Sequence, residues 1–365
     1  MSSNDASIQR PPAPRPWAAG VSIAAVALGV SLWAWQLQSS GDPARVWRAL
    51  LINFLFFTPL SAGLVVWTAV LRLARGRWAE PIERPAVAAI TFAVPSLLAL
   101  AALWAGSDQW APWSGWATLP QGAWLRPAFL FGRDLAALAL FWIAAGWYVA
   151  QRQRGVRAGV AVFSYAIVFS LIGFDLVMAL DPRWHSSLLG GYFFISGLYA
   201  GVAAWARLAL REPQGTADRR HDLARLTVAF SILTTYMMFA QLLPIWYENL
   251  PGETRYIVPR VHAPWGAVSI LLLCVVYLGP LVALLTIRAR RSPPFLGVVV
   301  TVVLIGLWIE RWWLVAPVFD SRPRLGLLEA AMALAFAGSF GLGQYVLRQG
   351  AGQSRDAAEP RREHA

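Results

Sequence analysis

The sequence predicts an all-α, polytopic membrane protein of about ten transmembrane helices. Three observations carry that expectation. Of the 365 residues 58% are hydrophobic and 14% charged, with a mean hydropathy of +0.52, far from the balance of a soluble domain. Apolar runs of about 20 residues, the length a bilayer core demands, recur along the chain. The cations between those runs are all arginine, with no lysine anywhere.

In chain order the spans are expected near residues 17–38, 46–74, 86–106, 128–150, 158–180, 187–210, 226–247, 264–287, 295–315 and 326–347. A membrane domain over 17–347 then lies between polar tails at 1–16 and 348–365. The Pro-rich start from Met1 to Pro16 precedes a run too long for the apolar core of a signal peptide, so no cleaved leader is expected. The stretch 108–126 is too polar to cross but carries Trp110, Trp113, Trp116 and Trp124. It is expected along the interface, where indoles prefer to sit. Pro59, Pro95, Pro244 and Pro280 inside spans predict kinks, each freeing a backbone carbonyl.

The arginines set the orientation. Twenty-one fall in the head, the tail and the loops after the second, fourth, sixth and eighth spans, including Arg72, Arg75, Arg152, Arg154, Arg207 and Arg288. Eight fall in the opposite loops: Arg45, Arg48, Arg126, Arg183, Arg255, Arg260, Arg322 and Arg324. Both termini are therefore expected in the cytoplasm, with the turn at 181–187 and the loop at 248–263 on the outer face. This dispersal between apolar runs argues against nucleic acid as the reason for the net charge of +12.

No metal centre is expected on this chain. Its one cysteine, Cys274, lies in an apolar run, which excludes an intrachain disulfide, a CxxCH haem attachment and an iron–sulfur ligand set. The four histidines, His185, His221, His262 and His364, read as loop or tail residues rather than as haem ligands on facing helices.

Polar residues inside the spans share a depth. At 1.5 Å per residue, Arg133 and Asp134 lie about 9 Å inside the fourth span and Asp175 roughly 8 Å from the end of the fifth. Gln241, Glu310 with Arg311, and Asn53 with Thr58 fall in the same outer zone, whereas the inner halves carry hydroxyls such as Ser164, Tyr165, Ser231, Thr234, Thr235 and Tyr236. An outer layer of acids, arginines and amides suits an outward-opening cavity for a quinone headgroup or for proton transfer. Asp175, an acid inside lipid, is the leading candidate. For Arg133 with Asp134, and for Glu310 with Arg311, static ion pairs are the competing reading. His185 and His262 titrate in a range suited to proton transfer, or are ordinary solvated loop residues. Tyr247, Glu248 and Trp246 read as an interfacial belt, and Glu253, Arg255 and Arg260 as a solvated loop.

The stretch from Phe174 to Gly197, FDLVMALDPRWHSSLLGGYFFISG, joins two spans across a polar turn holding Asp181, Trp184, His185, Ser186 and Ser187. It is similar to a pattern D-x-x-M-S-L-x-P-x-W-x-S-T before G-x-Y-F-F. The stretch from Phe239 to Arg260, FAQLLPIWYENLPGETRYIVPR, is similar to F-S-Q-x-x-x-I-W-Y-x-N-I-P-E-E-T. Both patterns belong to the integral membrane subunits of bacterial alternative complex III, within the NrfD-like, polysulfide-reductase membrane-subunit superfamily, and the resemblance is closest to the smaller, ActF-like subunit. Together the two stretches cover about an eighth of the chain.

The resemblance implies two four-helix bundles with flanking helices in a bacterial inner membrane. It implies assembly with multihaem cytochrome c, iron–sulfur and paralogous NrfD-like subunits into a quinol:cytochrome c or quinol:oxidase oxidoreductase. Quinol would be a substrate of the complex, the redox centres would lie on other subunits, and this subunit would help conduct protons. Ala179 and Ala240 stand where the family often has serine, and Gly252 replaces the first glutamate of P-E-E-T, leaving Glu253. The candidate residues are Asp175, Asp134 and Arg133 for proton handling, with Gln241, His185, Asp181, Trp184, Ser187, Glu248, Glu253, Arg260, Glu310 and Arg311 along a proton path or near quinone. Two alternatives stay open: an ion-coupled secondary transporter, and a structural anchor for redox subunits.

Overall fold

The computed structural model describes residues 16–115, 122–152 and 154–356. Ten helices are long and apolar enough to cross a membrane, and no strand occurs among the described residues. They are α1 (Pro16–Ser39), α2 (Pro43–Leu73), α3 (Arg84–Ala105), α4 (Pro127–Ala150), α5 (Gly155–Leu180), α6 (Leu189–Ala209), α7 (Ala217–Glu248), α9 (Gly266–Ala283), α10 (Pro293–Val315) and α11 (Leu327–Asp356). A short helix, α8 (Pro251–Val261), lies between α7 and α9. The chain is an all-α, multi-pass membrane protein.

Local chemistry sets several boundaries. Asp42 accepts from the Arg45 amide and Pro43 opens α2, which together satisfy and pre-shape its first turn. Thr216 caps α7 in the same way through the Arg219 amide, and Asn249, at a left-handed φ of 48°, ends it. Because of that cap α7 begins at Ala217, well before the expected 226, and His221 is a helical residue rather than a loop one.

Packing divides the spans into two four-helix bundles. Helices α2, α3, α4 and α5 close one ring, and α6, α7, α9 and α10 close the other. Helices α2 and α6 abut along the centre, while α1 packs on α11 at the flank of α2. Close approach at the centre depends on glycine. A Cβ at Gly63 would stand 2.9 Å from the Gly197 carbonyl oxygen, and one at Gly201 2.8 Å from the Gly63 carbonyl carbon. Small residues at such crossings are how helices associate in lipid, which offers no hydrophobic drive between them.

The intramembrane prolines act locally. Pro59 and Pro244 sit inside helices that continue past them. Pro95 follows a 3₁₀ turn at Ala89–Phe92, and Pro280 follows a π-helical turn at Leu273–Leu278. The first part of the 108–126 stretch packs against the protein. Ser107–Trp110 and Pro112–Gly115 fold onto the protein, and Trp110 and Trp113 are buried. The Trp110 indole donates to the Leu103 carbonyl at 2.9 Å, so its polar edge is satisfied by protein instead of by headgroups. Trp116 lies outside the described residues.

Candidate functional site

The second turn of α4 and the last turns of α5 bring three charged side chains together. Arg133 Nη2 lies 2.5 Å from Asp175 Oδ2, and Arg133 Nε lies 3.6 Å from Asp134 Oδ1. Asp134 and Asp175 are 0% and 1% exposed. The pairing of Arg133 with its neighbour Asp134 is thus the longer of two contacts; the tight one crosses between helices. Trp124, in the turn before α4, donates from its indole to Asp175 Oδ1 at 2.8 Å, and its ring lies 3.8 Å from the Arg133 guanidinium carbon. The indole therefore holds both partners of the ion pair, one through N–H and one through its π face. Phe129 flanks the same guanidinium at 4.9 Å.

The charge count decides what this cluster can do. Two carboxylates share one guanidinium, so full ionisation would leave an uncompensated negative charge in a buried place, which is costly in a membrane. One proton on the carboxyl pair balances it. Both carboxylate oxygens of Asp134 accept no hydrogen bond, so a proton could reside there without displacing a donor.

A second cluster forms inside the other bundle. Glu310 on α10 accepts from the Tyr192 hydroxyl of α6, which in turn meets the Tyr277 hydroxyl of α9 at 2.8 Å. Arg311 Nη1 lies 3.2 Å from Glu310 Oε2, and Arg311 Nη2 donates to Ser196 Oγ at 2.5 Å. The π-helical turn matters here: it leaves the Val276 and Tyr277 carbonyls to accept from Tyr199 and Ser231 at 2.9 and 2.5 Å. Glu310 and Arg311 therefore pair with each other, and neither reaches Asp175. The single common pocket anticipated from helix depth is two separate clusters, because the acids belong to different bundles.

Above them the polar turn after α5 docks against α8. The Trp184 indole stacks on the Tyr256 ring, with centroids 3.8 Å apart and planes 9° apart, and the Arg260 guanidinium covers Tyr256 at 3.5 Å. Arg255 Nε donates to Asp181 Oδ2 at 2.8 Å. Arg260 donates to the Trp313 and Leu314 carbonyls at 3.3 and 2.8 Å, closing the C-terminal end of α10 where a cation is favoured. Burial pulls the Arg260 guanidinium below its ordinary value, and Tyr256 and Asp181 draw it partway back. The solvated loop expected for 248–263 is corrected: Pro251–Val261 is helical, and Arg260 is 1% exposed. Arg260 is saturated by carbonyls and an aromatic face, so it holds structure together.

Other candidates are not drawn in. His185, Ser187, Glu248 and His262 are exposed, and Glu253 is half-buried on the first turn of α8. Gln241 is buried on α7 with its Oε1 unpartnered, but it makes no hydrogen bond with Arg133, Asp134 or Asp175. Asn53 is occupied by Trp308, whose indole donates to Oδ1 at 2.9 Å. Sequence reasoning missed Trp124 as a ligand of Asp175, and Tyr192, Ser196 and Tyr277 as partners of Glu310 and Arg311. The positions 192, 196 and 199 fall at i, i+4 and i+7, and that spacing of a serine between tyrosines on one helix face was the available signal.

Among the described residues no group of three or more His, Cys, Asp or Glu side chains is placed to hold a metal. No protein-family model and no curated protein matches the chain.

Proposed function

We propose that this chain is an integral membrane subunit of a quinol-oxidising respiratory complex, and that Asp175 and Asp134, bridged by Arg133, bind and release a proton near the outer face. In this reading electrons are carried by multihaem cytochrome c and iron–sulfur partners, a paralogous membrane subunit lies alongside, and both termini are cytoplasmic in a bacterial inner membrane. The observation that carries the proton-handling part is the excess of one buried carboxyl over the guanidinium that serves it. The two motif stretches support the assignment to a respiratory assembly, and Trp184 of the first stacks on Tyr256, two residues past the pattern in the second.

Within the site Arg133 orients Asp175, Trp124 fixes both, and Asp134 is the group with unsatisfied acceptors. Proton acceptance by a carboxylate in such a setting is ordinary general-base chemistry. The deciding experiment replaces Asp175 by Asn in the purified assembly and follows quinol:cytochrome c turnover together with proton release. Loss of coupled release supports the reading; unchanged values for both would remove Asp175 from the mechanism. Purification without any haem-bearing partner, combined with ion-driven uptake by the chain alone in liposomes, would instead establish a secondary transporter.

A further inference from the structure

On the arginine-rich side an apolar groove runs between the end of α6 and the first turns of α10. Its volume is about 420 Å³, and its walls are Leu210, Pro293, Pro294, Gly297, Val298 and Val302, with Thr301 among them. The Thr301 hydroxyl donates to the Gly297 carbonyl at 2.7 Å, so its polar group is already used within the helix. Gly297 gives the groove depth beside Leu210, whose Cδ1 would stand 3.1 Å from a Cβ placed there.

One charge lines this groove. Arg207, in the last turn of α6, is half-buried and, among the described residues, has neither an ion-pair nor a hydrogen-bond partner. Its neighbours do not supply an anion. Arg291 already engages Asp218 at 2.9 Å, and Arg290 donates to the Leu284 and Leu285 carbonyls at 2.7 and 2.6 Å. A guanidinium at the rim of an apolar slot within the membrane lacks only the anionic half of a pair. Val298 and Val302 are 63% and 43% exposed on a helix long and apolar enough to cross a membrane, the kind of face that lipid covers, and basic pockets between spans bind anionic headgroups.

We propose that the groove holds an acyl chain of an anionic phospholipid whose phosphate is bound by Arg207. The guanidinium offers its fork of N–H donors to two phosphate oxygens, while the chain lies along Gly297, Val298 and Val302. The proposal is independent of any role in quinol oxidation.

The test uses the full chain in detergent with phosphatidylglycerol or phosphatidylcholine of identical acyl chains, read by native mass spectrometry. Wild type should retain one phosphatidylglycerol in preference to phosphatidylcholine. Arg207→Gln should weaken that retention about fivefold, and Arg211→Gln, an exposed arginine outside the groove, should not. Gly297→Leu should abolish retention by filling the groove, and circular dichroism checks that each variant is folded. If Arg207→Gln fails to fold, the lipid preference of wild type and the Gly297→Leu result decide alone. Equal retention of both lipids, or a Gly297→Leu protein that binds as wild type does, would overturn the proposal. Displacement of phosphatidylglycerol by inorganic phosphate at matched concentration would also overturn it, by assigning the site to a free anion.

Discussion

Arg133 and Asp175 lie 42 positions apart in the chain, yet their guanidinium and carboxylate meet at 2.5 Å between α4 and α5. Asp134 Oδ1 lies 3.6 Å from Nε of the same guanidinium. Removing the cation strands two buried acids. Arg133→Gln is expected to lower stability by about 3 kcal/mol, measured by thermal unfolding in detergent. Adding Asp175→Asn should recover part of that loss, and a purely additive double mutant would show that the two groups do not act as a pair.

Asp134→Asn is expected to behave differently. Neither Asp134 oxygen accepts a hydrogen bond, so the amide forfeits chiefly the 3.6 Å ion pair, and the change in stability should stay within about 1 kcal/mol. Proton release by the assembly should fall all the same. A variant with wild-type proton release would assign the site to Asp175 alone.

The outer clamp should be structural. Trp184→Ala removes a buried indole stacked on Tyr256 and is expected to cost about 3 kcal/mol. Tyr256→Phe keeps the stack and loses only the hydrogen bond to the Leu314 carbonyl, for about 1 kcal/mol. Arg260→Lys should fail to rescue Arg260→Ala, because an ammonium lacks the planar fork that reaches three carbonyls while lying on a ring. Full recovery by lysine would contradict that account.

In the second bundle, Tyr192→Phe takes the hydroxyl donor from buried Glu310 and is expected to cost about 2 kcal/mol. Glu310→Gln also takes the partner from buried Arg311 and is expected to cost about 3 kcal/mol, and the double variant should lose less than the sum of the two single losses because the hydroxyl and the carboxylate act as a pair. Unfolding midpoints of the two single variants and the double variant provide the check.

Glu83 supplies a pH dependence on the arginine-rich side. Burial holds its carboxyl above the ordinary value of 4.5, against the opposing pull of Arg152 at 3.0 Å. The folded state therefore binds this proton more tightly than the unfolded chain. The resulting contribution to stability is fully present below about 4.5 and is lost as the pH rises through the raised folded value. Glu83→Gln should flatten that limb of a melting-temperature profile taken between about pH 4 and 7; an unaltered limb would place the titration elsewhere.

Much of the architecture was legible because bilayer thickness converts directly into run length. The ten apolar segments therefore predict ten helices to within a few residues, apart from α7, whose Thr216 cap lies beyond the apolar run, and α11, which runs on past its apolar segment to Asp356. Depth along a helix was legible too, and it put Arg133, Asp134 and Asp175 in one layer. Rotation about the helix axis was not. Linear spacing does not say that Arg133 turns toward Asp175, that Glu310 turns into the other bundle toward Tyr192 and Tyr277, or that Gln241 stays apart from both.

Arg260 illustrates the same limit at the surface. A polar stretch with Glu253, Arg255 and Arg260 has the composition of a solvated loop, and only docking onto Trp184 and the end of α10 makes it a helix that buries Tyr256 and Arg260. Composition and length alone determined a multi-pass helical membrane protein with its arginines gathered largely at one side. The tertiary structure decided which acids share a cation and which arginine lines an apolar groove without an anion, because those outcomes depend on how bundles pack across distances the chain order does not encode.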